Sequence, residues 1–242
     1  MLEPRQHGYF NINKADIYYR IYGNGKKSLF FLHGNGEDWS CFKKQIAFFS
    51  KDYTVVTMDS RGHGHSGISE KPLTIKQIAQ DAAVLIKKLK LAHVALIGFS
   101  DGGNIVLEMA LNSSLSFEAL IIAGANINPQ GVKFRYQLPV ILYHGICELF
   151  AVFSVKIRHK ADILGLMIHE PNIPARRLRT ITAPVLILAG EHDMIKDRHT
   201  KFIHATLSHS SLAIIPKANH FVFDRPANQV NQIIKTFLNT VI

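Results

Sequence analysis

The sequence from His93 to Leu111 reads HVALIGFSDGGNIVLEMAL and is the most informative part of the chain for its fold. Its first five residues form an apolar run of the buried-strand type, and the residues from Asn104 onward are compatible with a helix. Between them lies Gly98-Phe99-Ser100-Asp101-Gly102, a G-x-S-x-G sequence that predicts a sharp strand-to-helix turn with an exposed serine hydroxyl. The flanking glycines keep side chains out of this turn, and the helix start directs N–H groups toward it. Ser100 is therefore predicted to be a nucleophile.

Strand-like and helical segments alternate along most of the chain. Gly8–Ile12 and Ile17–Tyr22 are predicted strands, and Gly23-Asn24-Gly25 is interpreted as a hairpin or meander turn after them. Further strands are predicted at Ser28–Leu32, Tyr53–Met58, His93–Ile97, Phe117–Ala123, Val185–Ala189 and Leu212–Ile215, and helices at Trp39–Ser50, Ile75–Lys90 and Ala227–Leu238. This alternation predicts an α/β fold with a mostly parallel sheet covered on both faces.

Residues 126–180 break the alternation. They have a helical character and lie between two predicted strands, so we expect a helical cap inserted into a core made of residues 1–125 and 181–242. The most apolar stretch, Leu138–Val155, contains Pro139, His144, Gly145 and Glu148 and barely reaches the roughly 20 residues that a membrane span needs. We therefore expect one or two helices that bury an apolar face, and no membrane span.

The bulk composition is that of an ordinary globular protein. The chain has 242 residues, of which 47% are hydrophobic and 19% charged, enough for one large domain. The first ten residues are polar, which argues against a signal peptide. Cys41 and Cys147 have no metal-ligand spacing and are expected to be free thiols in a reducing cytosol. These features together predict a cytoplasmic protein.

The charge balance is basic, with a formal net charge of +10. The basic residues are spread out, without a run of five or a nucleic-acid-binding motif, so no nucleic-acid partner is expected. A local excess occurs between residues 126 and 179, where eight basic residues stand against three acidic ones. This excess favours an anionic substrate as a hypothesis.

A serine hydroxyl needs a base to become a nucleophile, and the base needs an orienting acid. In a parallel sheet these groups come from loops at the carboxyl ends of the strands. Of the thirteen histidines, His220 lies just past the Leu212–Ile215 strand, whereas His209 precedes it. His192 is the nearest rival, but its neighbour Asp193, after Val185–Ala189, is the best acid. We therefore predict that Asp193 and His220 are catalytic together with Ser100.

The oxyanion of a tetrahedral intermediate needs two N–H donors. One is expected from the backbone of Asp101, directly after the nucleophile. The other is expected from the loop after Ser28–Leu32, which reads His33-Gly34-Asn35-Gly36, and there we choose the Asn35 backbone N–H. An apolar acyl pocket is predicted from the residue before the serine and from the cap; its predicted members are Phe99, Leu138, Leu142, Phe150 and Phe153.

These motifs resemble the α/β-hydrolase fold superfamily over nearly the whole chain. The order Ser100, Asp193, His220 and the segment Asp59–Ser66 add to the resemblance. It implies an eight-stranded, mostly parallel sheet with helices on both faces, a small helical cap and a serine hydrolase activity. The Ser-Asp-Gly-Gly sequence is similar to the valacyclovirase-type and carbon–carbon-bond-hydrolase branches, in which a helical cap lies between strands six and seven.

Three kinds of function are consistent with this reading. The first is a serine hydrolase of carboxylesterase type that cleaves a small ester, amide or thioester through an acyl-enzyme. The second is a carbon–carbon bond hydrolase, perhydrolase or lyase on the same scaffold, and the third is a non-catalytic ligand receptor. A serine at position 100 argues against a haloalkane dehalogenase, which needs a carboxylate nucleophile.

Two other motifs are expected to carry no chemistry. Gly62–Gly67 matches G-x-G-x-x-G, but Ser69, Pro72 and Thr74 follow it, so the helix that a dinucleotide site requires starts too late. His63 and His65 lack a nearby cysteine or acidic partner at metal-ligand spacing. We therefore expect no cofactor and no metal, and a small-molecule substrate as the partner.

Overall fold

A single eight-stranded sheet organises the protein. The computed structural model describes residues 3–68 and 73–242. The strands are β1 (Gln6–Ile12), β2 (Ala15–Tyr22), β3 (Ser28–Leu32), β4 (Thr54–Met58), β5 (Val94–Phe99), β6 (Ala119–Ala123), β7 (Val185–Gly190) and β8 (Ser210–Ile215). Their order across the sheet is β1-β2-β4-β3-β5-β6-β7-β8. Strand β2 pairs antiparallel with both of its neighbours, β1 and β4, and all other neighbouring strands pair in parallel. The predicted mostly parallel sheet is confirmed.

Helices cover both faces of this sheet. They are α1 (Lys43–Phe49), α2 (Ile75–Lys88), α3 (Asp101–Asn112), α4 (Phe134–Phe150), α5 (Val155–His169), α6 (Ala175–Leu178), α7 (Asp197–Thr206) and α8 (Ala227–Val241). On one face, apolar residues of α2 and α3 pack against the sheet, and on the other, those of α1 and α8 do so. Because both faces are covered, the central strands β3 to β7 are buried at every position.

The turn between β1 and β2 corrects one prediction. The hairpin is closed by Asn13 and Lys14, both with positive φ (50° and 65°), whereas Gly23-Asn24-Gly25 closes no hairpin. After those glycines the chain enters β3, while β2 pairs with β4 instead. The chain does reverse direction at Gly23-Asn24-Gly25, as the hairpin or meander interpretation expected, but the strands that it joins, β2 and β3, do not pair with each other, so this is not the turn of a hairpin. Gly23 is needed there for its φ of 67° and for close backbone packing. A Cβ on Gly23 would overlap the carbonyl oxygen of Tyr53.

The helix pair α4 and α5, between β6 and β7, corrects another prediction. Only Cys147 is buried along α4, and the expected burial of its apolar face is therefore wrong. The physical reason is that α4 packs on α5 along one narrow side, near Val140 and Cys147, and none of the residues that the structure describes forms a layer over its outer side. One helical stretch in the described part of the chain, Phe134–Phe153, has the length and composition of a membrane-crossing helix.

Candidate active site

Ser100 lies on the tight turn between β5 and α3. Its backbone has φ 54° and ψ −120°, a conformation that a residue with a side chain rarely adopts. The two flanking glycines are needed for this turn, because a Cβ on Gly98 would overlap the backbone of Gly102, and one on Gly102 would overlap the Leu32 carbonyl. The turn therefore holds Ser100 at the carboxyl end of the central strand.

A hydrogen-bonded series joins Ser100 to a histidine and an acid. His220 Nε2 lies 3.0 Å from Ser100 Oγ, and His220 Nδ1 lies 2.7 Å from Asp193 Oδ1. An ionised carboxylate only accepts hydrogen bonds, so Nδ1 carries the proton and Nε2 is free to accept the serine hydroxyl. The structure thus brings together the three residues that the sequence places at the ends of β5, β7 and β8.

Backbone groups hold the Asp193 carboxylate in place. Oδ1 also accepts the Ile195 N–H at 2.9 Å, and Oδ2 accepts the Gly190 N–H at 3.4 Å. The Lys133 ammonium, at the start of α4, donates to the Asp193 carbonyl oxygen. Both Asp193 and His220 are buried, which protects their hydrogen bond from competing water.

Gly124, directly after β6, makes room for the imidazole. A Cβ at this position would lie 2.6 Å from His220 Cε1 and 2.8 Å from Nδ1. The Phe99 ring covers another side of the imidazole, with ring centroids 5.0 Å apart. The imidazole orientation is therefore set by packing as well as by its two hydrogen bonds.

Near Ser100, the backbone N–H of Asp101, the first residue of α3, and the backbone N–H of Asn35 have no hydrogen-bond partner among the described residues. The loop that holds Asn35 lies against the nucleophile, since a Cβ on Gly34 would be 3.2 Å from Ser100 Cβ. The neighbouring Gly34 N–H is already engaged by Glu37 Oε2 at 3.1 Å, and burial raises the pKa of the Glu37 carboxyl.

A buried amide cluster surrounds the Asp101 side chain. Its carboxylate accepts the amides of Asn35 (3.0 Å) and Asn104 (3.1 Å), and Asn104 donates in turn to Asn126 (3.1 Å). Burial raises the pKa of the Asp101 carboxyl to about 6, although the two amide donors act in the opposite direction. The Asn35 amide also donates to the Ile163 carbonyl at 2.8 Å, which ties the Asn35 loop to α5.

His33 joins the Asn35 loop to the segment after β4. Its Nε2 accepts the Ser60 N–H at 2.9 Å, so Nδ1 carries the proton and donates to the Gly34 carbonyl at 2.8 Å. Burial lowers the pKa of His33 to about 4, which keeps the ring neutral. In the same segment, Arg61 forms a buried two-point ion pair with Asp81 of α2, with distances of 2.7 and 2.8 Å.

The predicted pocket residues fall into two groups. Phe99 is buried and lines a cavity of about 340 Å³ together with Glu37, Phe221 and Phe223. In contrast, the four cap residues of the prediction lie on open surface and line none of the cavities described for this part of the chain; they are Leu138, Leu142, Phe150 and Phe153. That part of the predicted pocket is wrong, because the outer side of α4 faces solvent rather than Ser100.

The rival motifs lie apart from this arrangement. His192 is exposed, and His209 precedes β8 at the opposite end from His220. His63 Nδ1 contacts the Arg61 carbonyl and His65 Nδ1 contacts Asp59 Oδ2. Ser69 and Pro72 lie outside the described residues, and α2 begins only after Thr74. Within residues 3–68 and 73–242, no group of three or more His, Cys, Asp or Glu side chains is placed to hold a metal ion.

Sequence reasoning missed several residues around Ser100. Gly124 carried a usable signal, because a glycine directly after a buried strand often marks a close approach. Glu37, Asn104 and Lys133 carried none, since each is an ordinary polar residue. Asn104 and Lys133 have partners that are distant in sequence, and Glu37 reaches Gly34 only because the loop folds back on itself. Their positions follow only from the three-dimensional arrangement.

Comparison with known proteins identifies the family. Residues 29–233 match the model of the Alpha/beta hydrolase family, and the chain belongs to this family. This finding confirms the predicted superfamily and fold. Hydrolase activity on a small-molecule substrate is the function that the family supports.

Individual relatives span most of the chain. The serine hydrolase BPHL of Homo sapiens is 28% identical over 251 residues, covering 94% of this chain and 84% of the relative. The 3-oxoadipate enol-lactonase 2 of Acinetobacter baylyi is 24% identical, with coverages of 90% and 93%. The crystal structure of the enol-lactonase from Burkholderia xenovorans LB400 has a TM-score of 0.79 at 21% identity, covering 96% of this chain and 100% of that one. At that identity the structural likeness shows the fold alone.

Proposed function

We propose that the protein is a serine hydrolase of carboxylesterase type, which cleaves a small ester, amide or thioester through an acyl-enzyme at Ser100. The observation that carries the proposal is the hydrogen-bonded series from Asp193 through His220 to Ser100, with distances of 2.7 and 3.0 Å. The strained backbone at Ser100 supports it further. The serine hydrolase among the relatives is consistent with it.

In the proposed first step, Ser100 Oγ attacks the substrate carbonyl carbon while its proton passes to His220 Nε2. Asp193 keeps the imidazole in the required tautomer and stabilises the imidazolium that forms. The backbone N–H groups of Asn35 and Asp101 are the proposed donors to the oxyanion. Removing one such donor typically lowers turnover by a factor of about 10²–10³.

In the proposed second half, the tetrahedral intermediate collapses and the carbon–leaving-group bond breaks. His220 gives its proton to the leaving group, which departs and leaves an acyl ester on Ser100. Water then attacks this ester while His220 Nε2 takes a proton from it, and collapse of the second intermediate releases the acid and restores the serine hydroxyl. No cofactor enters this sequence.

The helical segment 126–180 is proposed to act as a cap on a core made of residues 1–125 and 181–242. Two hydrogen bonds support this division, because they hold α5 over the loops of the sheet's carboxyl edge. The Asn35 amide donates to the Ile163 carbonyl at 2.8 Å, and His159 Nε2 lies 2.7 Å from the Gly62 carbonyl oxygen. Of the residues predicted to line the apolar pocket, Phe99 keeps a proposed role beside the substrate. The cytoplasmic location of the protein stays a prediction.

The experiment that tests the proposal measures hydrolysis of p-nitrophenyl esters and of matching thioesters by the wild-type chain and by Ser100→Ala. We expect the variant to lose turnover by several decades while its circular dichroism spectrum stays unchanged. Ser116→Ala is the matched control, because Ser116 is an exposed serine in the turn after α3, and it is expected to keep full activity.

The same experiment separates the alternatives. Labelling of Ser100 by a fluorophosphonate without turnover of any ester or thioester would favour a ligand receptor or a different bond specificity. Undiminished turnover in Ser100→Ala would contradict the proposal itself.

A further inference from the structure

Among the described residues, the exposed large apolar side chains are concentrated on α4 and the turn that follows it. Twelve of the seventeen exposed large apolar side chains among residues 3–68 and 73–242 lie between positions 134 and 155. We call one row of them, at helical spacing along α4 and into the following turn, the apolar stripe; it consists of Leu138, Leu142, Ile146, Leu149, Val152 and Phe153. Val152 and Phe153 are 77% and 80% exposed. A contiguous apolar surface of this kind marks an interaction site.

The apolar stripe has no role in holding α4 to the rest of the protein. That contact uses the opposite side of the helix, where Val140 and Cys147 pack with Ala161 and Leu164 of α5. Packing within the protein therefore does not explain why the residues of the apolar stripe are apolar. Apolar residues recur at successive turns along this exposed side, which points to a partner outside the chain.

Positive charge flanks the apolar stripe. Residues 133–160 contain five basic side chains and one acidic one, a local net charge of +4. The one acid, Glu148, is paired with Arg158 at 2.8 Å. Arg135, Lys156 and Lys160 are exposed and take part in none of the ion pairs found among the described residues. The chain as a whole has a net charge of +10, so the partner that fits this face is apolar within and anionic at its surface.

We propose that the apolar stripe docks on the surface of an anionic lipid bilayer and lies in its plane. Val152 and Phe153 enter the boundary between headgroups and acyl chains, while Arg135, Lys156 and Lys160 contact the lipid phosphates. The charge argues against a second copy of the chain as the partner, because two stripes face to face would bring two local charges of +4 together.

The same helix does not cross the bilayer in this proposal, although its length would allow it. Its start is held at the sheet by the bridge between Val132 and Ile195 and by the Lys133 contact to Asp193, and its end turns directly into α5. Crossing would also carry the polar side chains of Arg135 and Glu148 into hydrocarbon, at a cost that docking in the plane avoids.

Co-sedimentation with lipid vesicles tests the proposal. The full-length protein is mixed with vesicles of phosphatidylcholine alone, or of equal parts phosphatidylcholine and phosphatidylglycerol. We expect binding to the anionic vesicles only, weakening as salt is added. The double variant Lys156→Gln with Lys160→Gln is expected to lower the partition coefficient roughly 30-fold, since each basic residue near the surface contributes about fivefold.

Matched variants make the test specific. Lys26→Gln with Lys51→Gln removes the same charge at the amino ends of β3 and β4, the opposite edge of the sheet, and is expected to bind as wild type does. Val152→Asp is expected to lower binding about tenfold or more by placing a charge in the apolar stripe. Thermal unfolding of each variant checks that the fold is intact.

Several results would overturn the proposal. Failure to bind anionic vesicles is one, and an equal loss in both double lysine variants is another, because it would show a nonspecific charge effect. Self-association that Val152→Asp abolishes, seen by analytical ultracentrifugation without vesicle binding, would assign the stripe to a second copy. Resistance to extraction from vesicles by alkaline carbonate would assign α4 to a bilayer span. None of these measurements depends on the proposed hydrolase activity.

Discussion

The ring of His220 lies against the backbone of Gly124, where a methyl group would come within 2.6 Å of the imidazole Cε1. Gly124 also has a φ of 62°, a conformation that favours glycine, and its lack of a side chain leaves room for the imidazole. A residue without a side chain thus limits where the imidazole can lie between Asp193 and Ser100.

Gly124→Ala is expected to lower kcat by about 10²-fold, because a misplacement of about 1 Å near the reacting groups costs that much. The KM for a p-nitrophenyl ester is expected to change little, since the substitution displaces His220 rather than a binding surface. Steady-state kinetics well below the unfolding temperature measures both. Gly145→Ala is the control, because open space surrounds Gly145 on α4. Equal kcat values for wild type and Gly124→Ala would contradict the account.

Asp193→Asn is expected to lower kcat by about 10⁴-fold with little loss of stability. An amide at this position can donate to His220 Nδ1, which moves the imidazole proton to Nε2 and prevents that atom from accepting the Ser100 proton. The measurement is ester turnover alongside thermal unfolding. Retention of more than a tenth of the activity would show that Asp193 does not orient the base.

The buried pair of Arg61 and Asp81 makes a prediction about stability. Both side chains are essentially inaccessible, with exposures of 1% and 0%, so Asp81→Asn leaves a buried guanidinium without its counter-charge. We expect a loss of about 3–5 kcal/mol in the free energy of unfolding by urea. Asp224→Asn is the control at the exposed pair with Lys44 and is expected to cost less than about 1 kcal/mol. Similar losses in the two variants would contradict this reading of the Arg61 pair.

Stability is expected to depend on pH through His33 and His63. Burial lowers the pKa of each histidine to about 4, below the ordinary value of 6.5. Between pH 4 and pH 6.5 the unfolded chain therefore binds more protons than the folded protein does. The stabilisation is complete above about pH 6.5 and is lost as the pH falls toward 4, by about 2 kcal/mol per histidine between pH 7.5 and 5. The Asp101 carboxyl, with its pKa raised to about 6, opposes this trend in part because it gains a proton in the folded state.

Urea unfolding of wild type and His63→Gln at pH 7.5 and 5 measures this effect. The wild type is expected to lose stability on acidification, and the variant to lose about 2 kcal/mol less than the wild type does. The same loss in both proteins would show that His63 does not titrate with the lowered pKa.

The sequence predicted those parts of the structure that depend on local residue order. Ser28–Leu32 is a strand with the predicted bounds because the four consecutive apolar residues Leu29–Leu32 favour a short strand buried on both faces. The serine turn was equally local, since Gly98, Ser100 and Gly102 are all needed within five residues. The positions of Asp193 and His220 followed from one global rule, that parallel strands end at the same edge.

The incorrect predictions concern features that depend on residues distant in sequence. The turn at Gly23-Asn24-Gly25 was taken for a possible hairpin because its local sequence does not show that β4 lies between β2 and β3 in the sheet. The face of α4 was misread because apolar composition indicates a partner without saying whether that partner is the protein's own core. Glu37 escaped prediction for a similar reason, since its contact with the Gly34 N–H depends on how one loop folds back on itself.

Rapid quenching of the enzyme during turnover of a p-nitrophenyl ester, followed by mass spectrometry of its peptides, shows whether Ser100 carries an acyl group. We expect one acyl group per chain on the peptide that contains Ser100. We also expect a burst of p-nitrophenol matched to this amount wherever deacylation is the slower step. Ester hydrolysis with an acyl group on another residue, or continued hydrolysis by Ser100→Ala, would contradict the proposed acyl-enzyme at Ser100.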